Sequence, residues 1–128
     1  MKIKKIGITG RKESVLARET ANLAIEALSK KYTIETDKQF LGKGKTLSKF
    51  NVDLMLSFGG DGTLLAAFRE MKKSIPLMGI NCGNRGFLQA YNHNELDKAL
   101  AGIETGKLKI EKRTRLETKV DGKKIELA

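Results

Sequence analysis

The sequence predicts an α/β protein whose strands form a parallel sheet. Short apolar runs rich in β-branched residues alternate with segments in which apolar residues recur at helical spacing, and this alternation is typical of strand–helix–strand units. Glycine-rich loops follow two of the strongest strand-like runs, at the place where parallel sheets bind ligands. The last part of the chain changes to a period of two, which indicates an antiparallel arrangement there.

The first half of the chain contains two strand predictions and one helix prediction. A strand is expected over 3–9, a helix over roughly 13–31 and a weaker strand over 32–36. The apolar face of that helix is expected to consist of Leu16, Thr20, Leu23, Ala24, Ala27 and Leu28. The polar, glycine-containing stretch 37–51 predicts a loop with room for a short helix.

The second half repeats the alternation more strongly. Strands are expected over 52–58 and 75–81, and helices over 63–73 and 94–106. The inward-facing residues of the two helices are expected to be Leu64, Leu65, Phe68 and Met71 in the first, and Leu96, Ala99, Leu100 and Ile103 in the second. Together these elements predict helices packed on the faces of a parallel sheet.

Polar residues are expected at the starts of these two helices. Thr63 and Asn94 are the predicted N-caps, since their side-chain oxygens can accept a backbone N–H of the first turn. Asp97 falls in the first turn of the second helix, where the positive end of the helix dipole favours a negative charge. Both helices therefore have start signals in the sequence.

A hairpin is predicted at the end of the sequence. Residues 108–120 alternate between apolar and charged, Asp121-Gly122 is a type I′ turn signal, and 123–128 begin a return strand. An isolated hairpin is marginally stable. We therefore expect an α/β nucleotide-binding domain over 1–106 and the start of a second, truncated β-rich domain over 107–128. The alternative is a hairpin that folds back onto the α/β domain.

Composition narrows the classes of partner. The net charge is +10, which favours a polyanion, but the basic residues are spread along the chain and aromatic residues make up only 5%. A nucleic-acid surface would interleave the two types, so we expect a solvated basic surface and no nucleic-acid partner. No apolar run is long enough for a membrane span. The single cysteine, Cys82, excludes an intramolecular disulfide and favours the cytoplasm.

The segment GGDGT at 59–63 is the strongest functional motif. Gly59 and Gly60 allow a sharp turn that a bulky anion can approach, and the N–H groups of Gly62 and Thr63 can point at phosphate oxygens. Asp61 would repel a phosphate unless it takes a proton from a substrate hydroxyl or holds a metal ion between phosphates. The alternative is a tight strand-to-helix turn that Asp61 caps.

Two further loops are expected at the same edge of the sheet. The segment GINCGNRGF at 79–87 follows one strand, and TGRKES at 9–14 follows the first strand and provides Arg11 as a candidate nucleotide-binding residue. Because the carboxyl ends of parallel strands share one edge, the three loops can contact one ligand.

Three other features have ordinary structural explanations. The segment GKGKT at 42–46 lacks the first glycine of a phosphate-binding loop, which would stand at Gln39, and no strong strand precedes it. His93 is expected to be solvated, and Cys82 has no histidine near it in sequence, so it is expected to be inert. No Cys/His cluster indicates a protein-bound metal.

The two glycine-rich loops together resemble the NAD kinase family. GGDGT alone is shared with diacylglycerol and sphingosine kinases and approximates a phosphofructokinase loop, whereas GIN, then Gly83, then GFL is similar to the NAD kinase pattern. The resemblance covers nearly the whole chain. It implies the parallel-sheet, three-layer N-terminal domain of the NAD kinase/diacylglycerol kinase type, followed by the first hairpin of an all-β domain.

The resemblance also implies roles for individual residues. Asp61 matches the catalytic aspartate, which acts as a general base. The binding positions that it implies are Gly59, Gly60 and Thr63 in the phosphate-binding turn, Gly62 at the NAD site, Phe87 near the adenine and Asn81 on the same loop. Arg85 departs from the apolar residue expected between GN and GFL, and its role is open.

The implied activity is transfer of a phosphate from ATP, or from polyphosphate, to the 2′-hydroxyl of the adenosine ribose of NAD, with Mg²⁺ or another divalent cation accompanying ATP. Homo-dimers or homo-tetramers are implied for the full-length protein. The family's NE- or ND-type and TGSTAY-like motifs do not occur in these 128 residues, so we expect this segment alone to be nearly inactive. The alternatives are another GGDGT-type kinase, for a lipid or a sugar, and a non-catalytic nucleotide-binding fragment.

Overall fold

The fold was analysed in a computed structural model, which describes residues 2–71, 74–83, 89–106, 116–120 and 123–127. Its main element is a five-stranded, fully parallel sheet with the strand order β2-β1-β3-β4-β5. The strands are β1 Lys5–Gly10, β2 Thr33–Thr36, β3 Leu54–Gly59, β4 Leu77–Asn81 and β5 Tyr91–Asn92. The helices are α1 Val15–Leu28, α2 Lys38–Leu41, α3 Asp61–Glu70 and α4 Leu96–Thr105. The predicted α/β fold with a parallel sheet is confirmed.

Helices cover both faces of the sheet. Ile6 and Ile8 of β1 and Phe58 of β3 are buried on the face that α1 and α4 cover. Met55 of β3 lies on the opposite face, in a second buried cluster that includes Ala67 of α3. Since side chains alternate along a strand, β3 supplies both clusters, and all six of its residues are buried. The arrangement is therefore three-layered.

The strand order places a topological switch beside β3. The chain winds outward from β1 to β2 on one side, and from β3 through β4 to β5 on the other. In sheets of this order, ligands bind outside the carboxyl ends of the strands at the point between β1 and β3 where the direction reverses. The GGDGT segment lies at that point, because it begins with the last residue of β3, Gly59.

The buried face of α1 differs from the expected one. Leu23 is 60% exposed and Leu16 is 39% exposed, so the prediction that both face inward was wrong. The buried residues are Ala17, Thr20, Ala21, Ala24 and Leu28. Small side chains let the helix backbone lie close to the sheet, and the buried stripe is centred on alanines rather than on the larger leucines.

The helix caps also differ from the expected ones. Gly60 is the N-cap of α3, which begins at Asp61, so Thr63 lies inside the first turn and is not the cap. Before α4, a 3₁₀ turn at His93–Glu95 begins with Asn92, whose side chain forms a reciprocal capping box with Glu95. Asn94 is therefore not the cap. Hydrogen bonding from the Asn92 backbone lowers the pKa of the Glu95 carboxyl.

Two features complete the fold. The predicted terminal hairpin is present, with β6 at Leu116–Val120 antiparallel to β7 at Lys123–Leu127; its expected Asp121-Gly122 turn and residues 107–115 lie outside the described residues. The division into domains at residue 106 stays a prediction. None of the described helices is both long and apolar enough to cross a lipid bilayer.

One carboxylate fastens the start of the sheet. Oδ2 of Asp53 accepts the backbone N–H groups of Lys4 and Lys5, each at 2.9 Å. These bonds lower the pKa of Asp53 from its ordinary value of 3.8, because hydrogen bonds to the charged form stabilise it. The contact holds the chain that leads into β1 against the chain that leads into β3.

We expect Asp53→Asn to lower the free energy of unfolding by roughly 1 kcal/mol at pH 7, since an exposed charge-assisted contact is weakened by solvent. A lowered folded pKa stabilises the fold above the ordinary value of 3.8, and this contribution is lost as the pH falls through the folded pKa. Urea denaturation at pH 7 and at a series of pH values below 3.8 should show the difference between the two proteins shrinking as the pH falls. A difference that stays equal at all these pH values would contradict this account.

Candidate functional site

Backbone hydrogen bonds join the three loops that follow β1, β3 and β4. The N–H of Arg11 donates to the carbonyl oxygen of Phe58 at 2.9 Å, and the N–H of Cys82 donates to that of Gly59 at 2.9 Å. The chain that leaves β3 is thereby bonded to the chain that leaves each neighbouring strand. The expectation that the three loops meet at one edge is confirmed for their described residues.

The glycines of the GGDGT turn have different structural reasons. A Cβ on Gly59 would lie 2.8 Å from Oγ1 of Thr63 and 3.1 Å from its Cβ, so Thr63 occupies the space that a larger residue at 59 would need. Beside Gly60 and Gly62 no described atom lies within 4 Å of such a Cβ. The packing of the described residues therefore requires a glycine at position 59 and leaves space at positions 60 and 62.

Asp61 is the first residue of α3 and is half-buried. Nε2 of Gln89, which lies just beyond the second glycine-rich loop, donates to Oδ1 of Asp61 at 3.0 Å. The helix N-terminus also favours the ionised carboxylate. The alternative in which Asp61 caps the helix was wrong, because Gly60 occupies the cap position. Asp61 thus stands at a helix N-terminus and accepts a hydrogen bond from Gln89, and its predicted catalytic role stays a prediction.

Asn81 is buried at the end of β4. Its Oδ1 accepts the N–H of Gly83 at 3.1 Å, and its Nδ2 donates to Oδ1 of Asn92 at 3.2 Å. The side chain thus shapes the start of the second loop and links β4 to β5. A contact between Asn81 and a nucleotide stays a prediction. Phe87 and Arg85 lie outside the described residues.

Arg11 begins the loop after β1, and its side chain is 65% exposed with Nε 3.8 Å from Oε2 of Glu13. It lies at the expected edge of the sheet, and its predicted role in nucleotide binding stays a prediction. Near it, Oγ1 of Thr9 donates to Oδ2 of Asp37 at 2.7 Å, and both side chains are buried. This pair fastens the end of β2 to β1.

Sequence reasoning missed Gln89 and Asp37. Asp37 follows directly after β2, and an acid at the carboxyl end of a strand in a parallel sheet is a usable signal. Gln89 had no comparable signal, because its contact with Asp61 joins residues 28 apart in the chain. A glutamine in an irregular segment resembles any solvated residue.

The segment at 42–46 has structural glycines. Gly42 ends α2 in the left-handed conformation, with φ 78°. Gly44 has φ 113°, and a Cβ there would lie 2.1 Å from the carbonyl oxygen of Thr36. The N–H of Lys45 donates to the carbonyl oxygen of Thr36, and its own carbonyl oxygen accepts the N–H of Lys38. Its Nζ lies 3.7 Å from Oε1 of Glu35. The local chain geometry accounts for the glycines without a phosphate.

Cys82 is buried, and burial raises the pKa of its thiol, which agrees with the expectation that it is inert. His93 is half-buried rather than solvated. Within the described ranges, no three His, Cys, Asp or Glu residues are grouped so that they could hold a metal ion.

Known proteins with similar sequences are NAD kinases. The family model for the ATP-NAD kinase N-terminal domain matches residues 7–108. An NAD kinase from Clostridium perfringens (strain ATCC 13124) is 38% identical over 126 residues, which cover 94% of this chain and 45% of the relative. An NAD kinase from Thermococcus kodakarensis is 41% identical over 76 residues, which cover 59% of this chain and 27% of the relative.

Solved structures share the fold. A crystal structure of an NAD kinase from Archaeoglobus fulgidus in complex with ATP aligns with a TM-score of 0.59 at 22% identity, covering 80% of this chain and 38% of that chain. Yeast NADH kinase complexed with NADH aligns with a TM-score of 0.65 at 17% identity, covering 80% and 36%. The chain spans less than half the length of these relatives.

The glycines of the turn provide a test of which positions the fold requires. We expect Gly59→Ala to destabilise the protein by about 1–3 kcal/mol, because the added methyl overlaps Thr63. Gly60→Ala should cost less than about 1 kcal/mol, because its side-chain space is open but alanine is a poorer N-cap than glycine. Gly62→Ala should cost nothing, since its side-chain space is open and alanine is favoured within a helix. Urea denaturation measures all three. Equal losses at all three positions would contradict the distinction.

Proposed function

This chain belongs to the NAD kinase family, and on that premise we propose that the whole protein phosphorylates the 2′-hydroxyl of the adenosine ribose of NAD to form NADP. The phosphoryl donor is ATP or polyphosphate, and Asp61 is the catalytic residue. Because the chain spans 45% of the length of its relative, this activity belongs to the full-length protein.

The position of Asp61 is the observation that carries the proposal. Its carboxylate stands at the switch point of the sheet, at the N-terminus of α3, and accepts a hydrogen bond from Gln89. On either side of it, Gly60 and Gly62 leave side-chain space open among the described atoms. This combination suits a base that faces a substrate hydroxyl while phosphates approach the neighbouring backbone.

The reaction requires one proton transfer and one phosphoryl transfer. The carboxylate of Asp61 accepts the proton of the ribose 2′-hydroxyl as that oxygen forms a bond to the γ-phosphorus of ATP. The bond from phosphorus to the bridging oxygen breaks, and ADP leaves with its electron pair. With polyphosphate, the shortened polyphosphate is the leaving group. Positioning of the two substrates supplies much of the catalysis in such transfers.

The backbone of the turn is suited to bind the phosphates. The first N–H groups of a helix have no partner within the helix and attract anions together with the helix dipole. In α3 these groups follow Gly60, which has no side chain to cap them. Arg11 on the neighbouring loop adds a positive charge at the same edge. We propose that donor phosphates bind there.

A divalent cation fits this site as a companion of the donor. No described cluster of three acidic, histidine or cysteine side chains could hold it, whereas Mg²⁺ typically binds through substrate phosphates, water and one or two carboxylates. When bound, the cation would neutralise charge on the donor phosphates.

The remaining part of the proposal comes from the family resemblance. Phe87 would pack near the adenine of NAD, and Asn81 would contribute from the same loop. The full-length protein would be a cytoplasmic homo-dimer or homo-tetramer. The second candidate function, phosphorylation of a lipid or sugar by a related GGDGT-type kinase, is disfavoured by the sequence of the second loop, GINCGNRGF.

We expect Asp61→Asn to lower kcat of the full-length protein by roughly 10²–10⁴, the usual contribution of a general base. The amide oxygen of the substituted side chain can still accept from Gln89, so the fold should be preserved. Formation of NADP, coupled to an NADP-dependent dehydrogenase, is the measurement. Asp97→Asn, in the first turn of α4, is the matched control and should keep the original rate. A normal rate in Asp61→Asn would remove the assignment of the base.

We expect the 128-residue chain by itself to form NADP at a negligible rate and to bind NAD weakly. The family resemblance assigns much of the NAD site to the β domain, and loss of that part would remove the orientation on which the transfer depends. Calorimetry with NAD, alongside the full-length protein as a positive control, checks this. Micromolar binding by the short chain would show that the α/β domain holds most of the site.

A further inference from the structure

We propose that Gln89 is a positioning residue for Asp61, and that its side-chain amide holds the carboxylate in the orientation that proton transfer requires. The observation is the 3.0 Å hydrogen bond from Nε2 of Gln89 to Oδ1 of Asp61, which joins residues 28 apart in the chain. The inference rests on the proposed function, because it concerns the base of that reaction.

The orientation of the amide follows from its chemistry. A carboxylate oxygen only accepts hydrogen bonds, and an amide offers an NH₂ group at one end and an acceptor oxygen at the other. The NH₂ end must therefore face Asp61, since two oxygens at that distance would repel each other. A hydrogen bond to an ionised group is also stronger than one between neutral groups. Gln89 thus favours the ionised, proton-accepting form of Asp61.

Gly79 provides the space in which this amide lies. A Cβ on Gly79 would stand 2.1 Å from Oε1 of Gln89 and 2.8 Å from its Cδ. The N–H of Ala90 donates to the carbonyl oxygen of Gly79 at 2.9 Å, which fixes the backbone next to Gln89. The amide is consequently confined between β4 and Asp61, and it is not a solvated side chain that meets Asp61 by chance.

Ser57 lies on β3 next to the position over which the amide of Gln89 lies. Oε1 of Gln89 and Oγ of Ser57 are the two buried side-chain atoms without a hydrogen-bond partner in the described part of the chain. Ser57 is the register partner of Gly79 on the adjacent strand, so the two residues point to the same face about 4.8 Å apart. One atom is an acceptor and the other belongs to a hydroxyl that can rotate its hydrogen. The two groups are chemically complementary, although no hydrogen bond joins them.

The test uses the full-length protein and two substitutions of Gln89. Gln89→Glu keeps the shape but places a second carboxylate beside Asp61, and like charges raise the pKa. In the pH profile of kcat/KM, the acid limb should therefore shift to higher pH by about one unit. Gln89→Leu removes the donor and should lower kcat by roughly tenfold while KM changes little, because positioning acts on the chemical step.

A direct measurement accompanies the kinetics. Carbon-13 NMR of the Asp61 carboxyl gives its pKa whether or not the enzyme turns over, and that pKa should rise in Gln89→Glu. Gln39→Glu, an exposed glutamine at the start of α2, makes the same chemical change elsewhere and should leave both the profile and the Asp61 pKa unaltered.

The outcomes separate this inference from the function on which it rests. An upward shift of the acid limb and of the Asp61 pKa in Gln89→Glu, with an unchanged unfolding midpoint, supports the inference. If Asp61→Asn is inactive but both Gln89 variants keep the original kcat, acid limb and Asp61 pKa, the inference is overturned and the proposed function stands. If Asp61→Asn keeps the original rate, both are overturned.

Discussion

The backbone hydrogen bonds between the ends of neighbouring strands are the constraint on which the site depends. Phe58 and Gly59, the last residues of β3, accept N–H groups from the chain after β1 and after β4. Each bond extends the parallel ladder past the strands and into the loops. Because a parallel sheet brings its carboxyl ends to one edge, these two bonds position Asp61 between loops that are far apart in sequence.

The glycines of the two glycine-rich loops serve separate structural purposes. Gly59 makes room for Thr63, Gly79 makes room for the amide of Gln89, and Gly60 leaves space open among the described atoms. Only the last of these suits direct approach by a ligand. Some glycines of the motif are therefore required by the packing of neighbouring side chains, and others leave the surface open to a ligand.

Two polar residues and a glycine lie in a row on one face of the sheet, and polar side chains contact both ends of this row. Thr9, Ser57 and Gly79 are register partners across β1, β3 and β4, and Asp37 and Gln89 contact the two ends of this row. The opposite face at the same level carries buried apolar residues such as Phe58 and Ile80. Polar atoms beneath the turn can hold a carboxylate in place, whereas the apolar face anchors the sheet to its helices.

The sequence by itself determined the order of strands β1 to β4 and of the three longer helices, the parallel sheet and the position of Asp61 after β3, because periodicity and glycine-rich turns are local properties of the chain. It did not predict β5, because a strand of two residues shows no period. It also predicted the terminal antiparallel hairpin. It misplaced Leu23 because a helix with apolar residues over a wide arc has several possible buried faces, and only the close approach of alanines to the sheet selects one. The contact of Gln89 with Asp61 was decided by the tertiary structure alone, since it requires Gln89 to lie over Gly79, and no local pattern encodes that distance.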